Sequence, residues 1–479
     1  MFPLSGSPRC VALRSKDDNS YLRSVHDESH GGSFVELRAG DGGLMNPRSR
    51  FYLEASKQHD GLVHIRCCYN NKYWVPQQRV LHGSTRWTIG TANELEEDLS
   101  KPSCTLFKRI PVAAEDGSTC RFLHSQLGKY AGVLSSSDMS KRPYLHIAHE
   151  EANQDNLIHA FTVLEVSDQK QLPEYLAFKG SNGQFLAGRS IEGHNYLECS
   201  QDDIGDQSVL QMTSTDENGV VRIKSNDFGR FWRLSPSWIW ADSDGSDTSH
   251  SNTDILFRVT TGSDFIALKN LGNNKFCKLL TAEGKIGCLN ACVDSITKEA
   301  KLQCYEPVIT RDIYDVNFRL HDAKIYTRGV KGLDSQPVKN GTTSTEKTEV
   351  SFTYLNTVES TWSSTVSMKI AINVSITAGV PEVLDGKIEV NREFAGSYTW
   401  GKTYSETKQA HHGVLVEVPP KKKVTVSTIA SDGFCNIPFS YKQMDTLYNG
   451  KQVIREFHDG MYFGIKTSNV VFEIEEENL

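Results

Sequence analysis

Few residues in this chain have the types and spacing that chemistry demands. Asp242, Asp244 and Asp247 put three carboxylates in one six-residue run. That run has the look of a calcium loop, but it lacks the Glu that closes an EF-hand and lies between strand signals. His149-Glu150 has no second histidine to complete an HExxH zinc site. Eleven cysteines are scattered; Cys67 and Cys68 are adjacent, and Cys288 and Cys292 are spaced CxxxC. Neither spacing recurs as the pair of pairs that zinc needs, so the cysteines read as mostly reduced thiols. No GxSxG, Walker-A or GxGxxG element is present. No carboxylate pair stands out for glycoside hydrolysis, which leaves a glycosidase as the weakest reading. The expectation is a chain that is not an enzyme and uses no metal and no cofactor.

A period-two run near residue 370 points to membranes rather than catalysis. Val366, Met368, Ile370, Ile372, Val374, Ile376, Ala378 and Val380 occupy successive even positions. Thr365, Ser367, Lys369, Ala371, Asn373, Ser375, Thr377 and Gly379 fill the odd ones. Such a strand has one greasy face and one small, polar face. After a Pro/Gly turn bearing Val383 and Leu384, Ile388 and Val390 resume the alternation. A membrane β-barrel strand needs about 9–11 residues with this pattern. A single hairpin cannot satisfy its backbone in lipid, so several chains would each donate one. The rival reading is an ordinary long strand with one face on a sandwich core.

The bulk numbers narrow the surroundings of that segment. At 479 residues the chain has room for about three domains. A net charge of −7, with no basic stripe, makes nucleic acid a poor partner. No secretory leader is visible and no apolar run reaches the length of a membrane helix, so a cytoplasmic protein is expected, membrane-associated only when activated.

Repeats set the expected architecture. An apolar residue, a basic one, a small one, a few turn formers and an aromatic recur six times. The copies run Leu13 to Tyr21, Ile65 to Tyr73, Leu123 to Tyr130, Phe178 to Phe185, Ile223 to Phe231 and Leu268 to Phe276. Each reads as a β-hairpin. Three units of about fifty residues, given twice, fit two threefold barrels, that is, tandem β-trefoils. A six-bladed propeller is the rival, but its blades need four strands each. The joint falls near Val166 to Glu174. Beyond Glu306 the hairpin pattern stops and Ser/Thr-rich, strand-prone sequence follows. The expected fold is all-β: a first trefoil over 1–165, a second over 166–305, and an elongated β module over 306–479 with its amphipathic hairpin at about 365–394.

The segments GLVHIRCCYNNKYWV, CTLFKRI, QLGKY, FKGSNGQFL and IKSNDFGRFWRLSPSWI resemble the amaranthin-like agglutinins of plants, over roughly residues 5–305. That resemblance implies non-catalytic binding of a galactose/N-acetylgalactosamine glycan and a head-to-tail dimer. A sugar is held by an aromatic face against its C–H patch and by polar groups on its hydroxyls. The candidates are Asn71, Tyr73, Trp74, His82, Ser84, Arg86 and Trp87 in the first half, and Trp232, Arg233, Trp238 and Trp240 in the second. Tyr73 and Phe231 are repeat positions and are expected in the core. The loop at 80–87 is longer than the family's, which leaves the sugar preference open.

The segments TAGVPEVLDGKIEVNREF, SYTWGKT and VLVEVPPKKKVTV resemble the aerolysin/epsilon-toxin family of β-pore-forming proteins, over about 306–479. That resemblance implies a hairpin stored on its own sheet and released when copies assemble into a ring. The two likenesses together suggest a lectin-guided pore-former acting in plant defence. The alternative is a cytosolic lectin whose last third serves only oligomerisation.

Overall fold

The computed structural model describes residues 9–27, 32–38, 43–81, 84–112, 118–133, 144–149, 157–166, 169–245, 252–370, 373–384 and 387–479. The described residues form an all-β protein of strands and short 3-10 turns. The chain divides into two compact units. One holds Met1–Thr310, Thr365–Ile370 and Asp445–Val453; the other holds Arg311–Ser364, Ala371–Met444 and Ile454–Leu479.

The first unit contains two sheets of twelve strands each. In the earlier one, Arg9–Ser15, Arg50–Ala55, Leu62–Cys67, Phe107–Pro111, Thr119–His124 and Phe161–Glu165 pair in turn, and the last pairs back onto the first. This ring has no free edge. Three hairpins rise from it, Tyr21–Asp27 with Gly32–Arg38, Tyr73–Leu81 with Ser84–Ala92, and Lys129–Val133 with Leu145–His149. They meet through Phe34↔Gly90, Thr88↔His146 and Glu36↔Tyr144. The later sheet repeats the plan. Its ring runs through Tyr175–Lys179, Gln211–Thr215, Val220–Ser225, Phe257–Thr261 and Ile266–Asn270, and closes through Gln303–Tyr305 and the Ile266↔Leu302 bridge. Its three hairpins meet through Tyr196↔Trp240, Glu198↔Cys288 and Trp238↔Asn290.

All six sequence repeats are hairpin turns, and one backbone rule governs them. The residue two before each aromatic has a left-handed backbone: Asn19, Asn71, Gly128, Gly183, Gly229 and Asn274, with φ between 56° and 83°. Only Gly and Asn adopt that region at low cost, which is why these turns carry no other residue there. In five copies the basic residue is the direct cross-strand partner of the aromatic: Arg14↔Tyr21, Arg66↔Tyr73, Lys179↔Phe185, Lys224↔Phe231 and Lys269↔Phe276. In the later barrel the ammonium lies over the ring at 5.1, 5.7 and 5.5 Å, a cation–π contact. The third copy is shifted by one from the expected register. Leu123 pairs with Tyr130, and Phe122 takes the buried place held elsewhere by Leu13 and Ile65.

Each ring is filled by side chains from all three of its repeats. Leu13, Phe51, Ile65, Trp74, Phe107, Phe122 and Phe161 meet in the earlier barrel. Phe178, Ile223, Trp232, Phe257, Leu268 and Leu289 meet in the later one.

The second unit is built on an eight-stranded sheet. Its order is Lys387–Thr399, Asn373–Leu384, Val308–Phe318, Lys422–Leu447, Gln452–Asn478, Glu346–Ser364 and Thr403–Val418, with Lys324–Asn340 also on Lys422–Leu447. Its core gathers Ile313, Trp362, Val374, Ile376, Tyr398, Trp400, Phe439, Tyr441 and Tyr462.

Candidate glycan site and membrane hairpin

The alternating run from Val366 to Val380 does not make one strand, contrary to the expectation from its period. Its first part, Thr365–Ile370, is a strap in the first unit. The Gln171 N–H donates to Val366 O (3.0 Å) and the Met368 N–H to Gln171 O (2.8 Å), beside a parallel Gln171↔Ser367 bridge. Thr365 O accepts from Arg50 Nη1 (3.2 Å) and Lys170 Nζ (2.9 Å), while the Ile370 N–H donates to Glu306 Oε2 (3.1 Å). Val366 is buried, and Met368 and Ile370 pack against the core of the later barrel. Period two fixes which side chains share a face; it does not say that one sheet takes them all.

The second part is a hairpin, Asn373–Leu384 with Lys387–Thr399, paired from Asn373↔Thr399 to Leu384↔Lys387. Val374, Ile376 and Ala378 are buried in the second unit's core, and Ser375 and Thr377 face out. Val380 and Ile388 pack part-exposed on that core, and Val390 is exposed. Ile372 lies outside the described residues, as do the side chains of Val383 and Leu384. The hairpin ends the sheet. Among the described residues its hold on the next strand is parallel, through Asp312↔Ser375 and Ile313↔Ile376. A further tie is the Tyr462 hydroxyl, which donates to Pro381 O at 3.2 Å. Internal pairing is therefore long and attachment short, while burying each of Val374 and Ile376 contributes about 1.5–3 kcal/mol to keeping the hairpin in place.

The early-barrel candidates turn out to be turn and core residues where they are described. Asn71 holds the left-handed turn position and accepts from Arg66 Nη1 at 2.9 Å. Arg66 Nε in turn donates to Glu54 (2.6 Å), and the Tyr73 hydroxyl donates to the same carboxylate (3.1 Å). Trp74 is fully enclosed, edge-on to Phe51, Phe107 and Phe122. No sugar reaches that indole face. Trp87 is part-exposed but leans on the same core. Ser84 and Arg86 belong to the strand Ser84–Ala92, with side chains outside the described residues; His82 lies outside them altogether.

In the later barrel Trp232 is likewise core, its Nε1 donating to Gln211 Oε1 at 3.1 Å. Its strand neighbours belong to the hairpin cap, where Trp238 is buried against Tyr196 and Cys288. Trp240 is part-exposed, stacked on His194 with ring centroids 4.0 Å apart and planes 10° apart. Tyr196 meets Trp240 and Trp238 edge-on. Arg233 pairs with Trp240 across the strands and forks onto Asp242 (Nε to Oδ1 3.0 Å, Nη2 to Oδ2 2.7 Å). That carboxylate keeps the guanidinium firmly charged. Trp238 Nε1 donates to Glu283 Oε2 (3.3 Å), and Lys285 pairs with Glu192 at 2.8 Å. The structure thus joins Arg233, Trp238 and Trp240 and adds His194, Tyr196, Asp242 and Glu283. Asp242, read in the sequence as part of a calcium-like run, is instead the arginine's partner. Among the described residues no group of three His, Cys, Asp or Glu side chains is placed to hold a metal. Sequence alone missed His194 and Tyr196 because their hairpin lies some forty residues upstream; only superposing the repeats would have aligned it with the tryptophan hairpin.

This cap sets part-exposed Trp240, stacked on His194, beside fixed charged hydrogen-bonding groups, the two kinds of element that sugar recognition uses. No described helix is long and apolar enough to cross a membrane, which says nothing about strands.

Known proteins give the chain a context. It is 24% identical over 203 residues to natterin-2 of Thalassophryne nattereri, covering 40% of this chain and 53% of that one. It thus spans about half the length of that curated relative. Among solved structures, a lamprey immune protein has a TM-score of 0.32 at 14% identity, over 65% of this chain and 93% of its own. An aerolysin-like protein of Bombina maxima has a TM-score of 0.24 at 15% identity, over 35% of this chain and 99% of its own. At such scores neither likeness fixes the fold. The agglutinin domain model matches residues 5–158 and 170–306, which is more than half of the sequence. The chain belongs to the agglutinin domain family.

Proposed function

We propose that this chain is a lectin that forms membrane pores, acting by binding rather than catalysis. In this reading the two closed barrels are β-trefoils that hold a galactose- or N-acetylgalactosamine-type glycan, with the later barrel's hairpin cap as the contact surface. Glycan binding concentrates the chain on a membrane; several copies then each contribute the hairpin 373–399 to a β-barrel. Membership of the agglutinin family supports the first half. The hairpin itself carries the second: an apolar face stored on its own unit, a polar opposite face, long internal pairing and a short parallel attachment at the sheet's end. In a barrel Val374 and Ile376 would face lipid, and Ser375 and Thr377 the lumen.

The test locks the hairpin. Asp312 and Ser375 are register partners, so Asp312→Cys with Ser375→Cys places two thiols within disulfide reach. The oxidised variant should bind a glycan array like the parent chain and release no dye from vesicles bearing the bound glycan. Reduction should restore release. Release from the oxidised form would show that another element inserts. A parent chain that binds glycan but never releases dye would leave a lectin alone.

A further inference from the structure

Cys10 and Cys68 are 58 residues apart in sequence, yet their sulfurs lie 3.7 Å from each other. The strand Arg50–Ala55 brings them together. Cys10 pairs with Tyr52 on it, and the Cys68 N–H donates to Arg50 O at 2.9 Å. Cys68 is buried, while Cys10 is part-exposed. A disulfide needs its sulfurs about 2 Å apart, a shift of under 2 Å from the contact observed. Of the other cysteines Cys292 is exposed, Cys304 is part-exposed and the rest are buried.

We propose that Cys10 and Cys68 are a redox pair that closes to a disulfide by exchange with a small-molecule disulfide such as oxidised glutathione. Cys10 is the entry point, as the more accessible of the two. The hydrogen bond from Cys68 holds the Cys10 thiol below its ordinary range, against the opposing effect of burial, and the charges of Arg50, Lys170 and Arg66 act in the same direction as the hydrogen bond. Burial pushes the Cys68 thiol up, so it keeps its proton and acts second. The Cys10 thiolate attacks one glutathione sulfur, the glutathione S–S bond breaks, and one glutathione thiolate leaves. Cys68 then gives up its proton and attacks the Cys10 sulfur; the mixed disulfide breaks and the second glutathione leaves. Two protein thiols are oxidised, and one glutathione disulfide is reduced to two thiols.

The pair sits at a junction. The Cys10 carbonyl accepts from the Val166 N–H (3.0 Å), and Arg50, held by Cys68, reaches Thr365 at the start of the strap. Closing the disulfide therefore ties together the two strands that flank Arg50, whose guanidinium reaches Thr365.

The experiment uses the full chain carrying Cys292→Ser, which removes the exposed competitor. It is incubated with oxidised glutathione at about pH 8 and mapped by peptide mass spectrometry without reduction. The expected product is a Cys10–Cys68 linked peptide, loss of two titratable thiols, and full reversal by dithiothreitol. Adding Cys68→Ser should trap glutathione on Cys10; adding Cys10→Ser should leave Cys68 unmodified. The proposal is overturned if the chain with both cysteines ends with glutathione on Cys10 and no link, with glutathione on Cys68, or with both thiols free. That result is independent of whether either serine variant folds.

Discussion

Arg50 and Thr365, 315 residues apart, are joined by a hydrogen bond from guanidinium Nη1 to a backbone carbonyl. The same buried guanidinium serves Leu44 O (2.9 Å), Val166 O (3.4 Å) and Gln169 O (2.9 Å). One side chain thus collects the earlier barrel, the joint after it and the strap. Arg50→Met removes a charged donor from four carbonyls and should destabilise the first unit by about 3–5 kcal/mol. Lys170→Met, which takes one donor from Thr365, should cost about 1–2 kcal/mol. Denaturant unfolding measures both, and amide exchange at the Met368 N–H should speed up in each.

The turn rule makes a prediction separable from packing. At Gly183 and Gly229 an added Cβ meets nothing within 4 Å, so the whole cost of Ala is the left-handed backbone. Each substitution should cost about 1–2 kcal/mol. Gly188→Ala instead drives a Cβ to 2.6 Å from the Phe228 ring and should cost more. Thermal melts of the three variants give the order.

Core and cap tryptophans should behave oppositely. Trp232→Phe strands Gln211 Oε1 in the core and should cost about 2–3 kcal/mol, with glycan affinity unchanged in the folded fraction. Trp240→Ala removes a part-exposed indole and should lower glycan affinity about tenfold or more, with a smaller loss of stability. If Trp240→Ala binds like the parent chain, the cap of the later barrel is not the sugar surface.

Thiol chemistry should be graded by burial. Burial pushes Cys120 up to about 11 and Cys199 up to about 12, from an ordinary value near 9. A raised thiol holds less thiolate at a given pH, so both should resist alkylation at neutral pH and gain reactivity only as pH climbs towards those values. Exposed Cys292 should react before both. Iodoacetamide labelling against pH, read by mass spectrometry, gives the order; early labelling of Cys199 would mean that the later barrel opens readily.

Some of this was legible residue by residue. The six turns could be read from Asn or Gly before an aromatic, because left-handed backbone admits little else. The shift at Phe122 was not, since Phe122 and Leu123 are both apolar and only cross-strand pairing ranks them. Trp74 and Trp232 were misplaced for a related reason. Both follow a repeat aromatic, and alternation turns the next residue inward into the ring; Phe231, expected in the core, is part-exposed, while Tyr73 is buried. The cap was illegible because its members come from separate hairpins that meet at Tyr196↔Trp240, Glu198↔Cys288 and Trp238↔Asn290.

By itself the sequence determined what each short stretch does locally. Turn positions follow from steric limits on φ, and faces follow from a period of two, both set by neighbouring residues. Tertiary structure decided which body receives each face. Val366, Met368 and Ile370 carry the same alternation as Val374 and Ile376, yet the first set lies in the agglutinin unit and the second in the unit beyond. Hydrophobic burial is non-directional, so an apolar face states that it will be covered and not by what. The choice belongs to partners hundreds of residues away, such as Arg50 and Gln171, that no local pattern names.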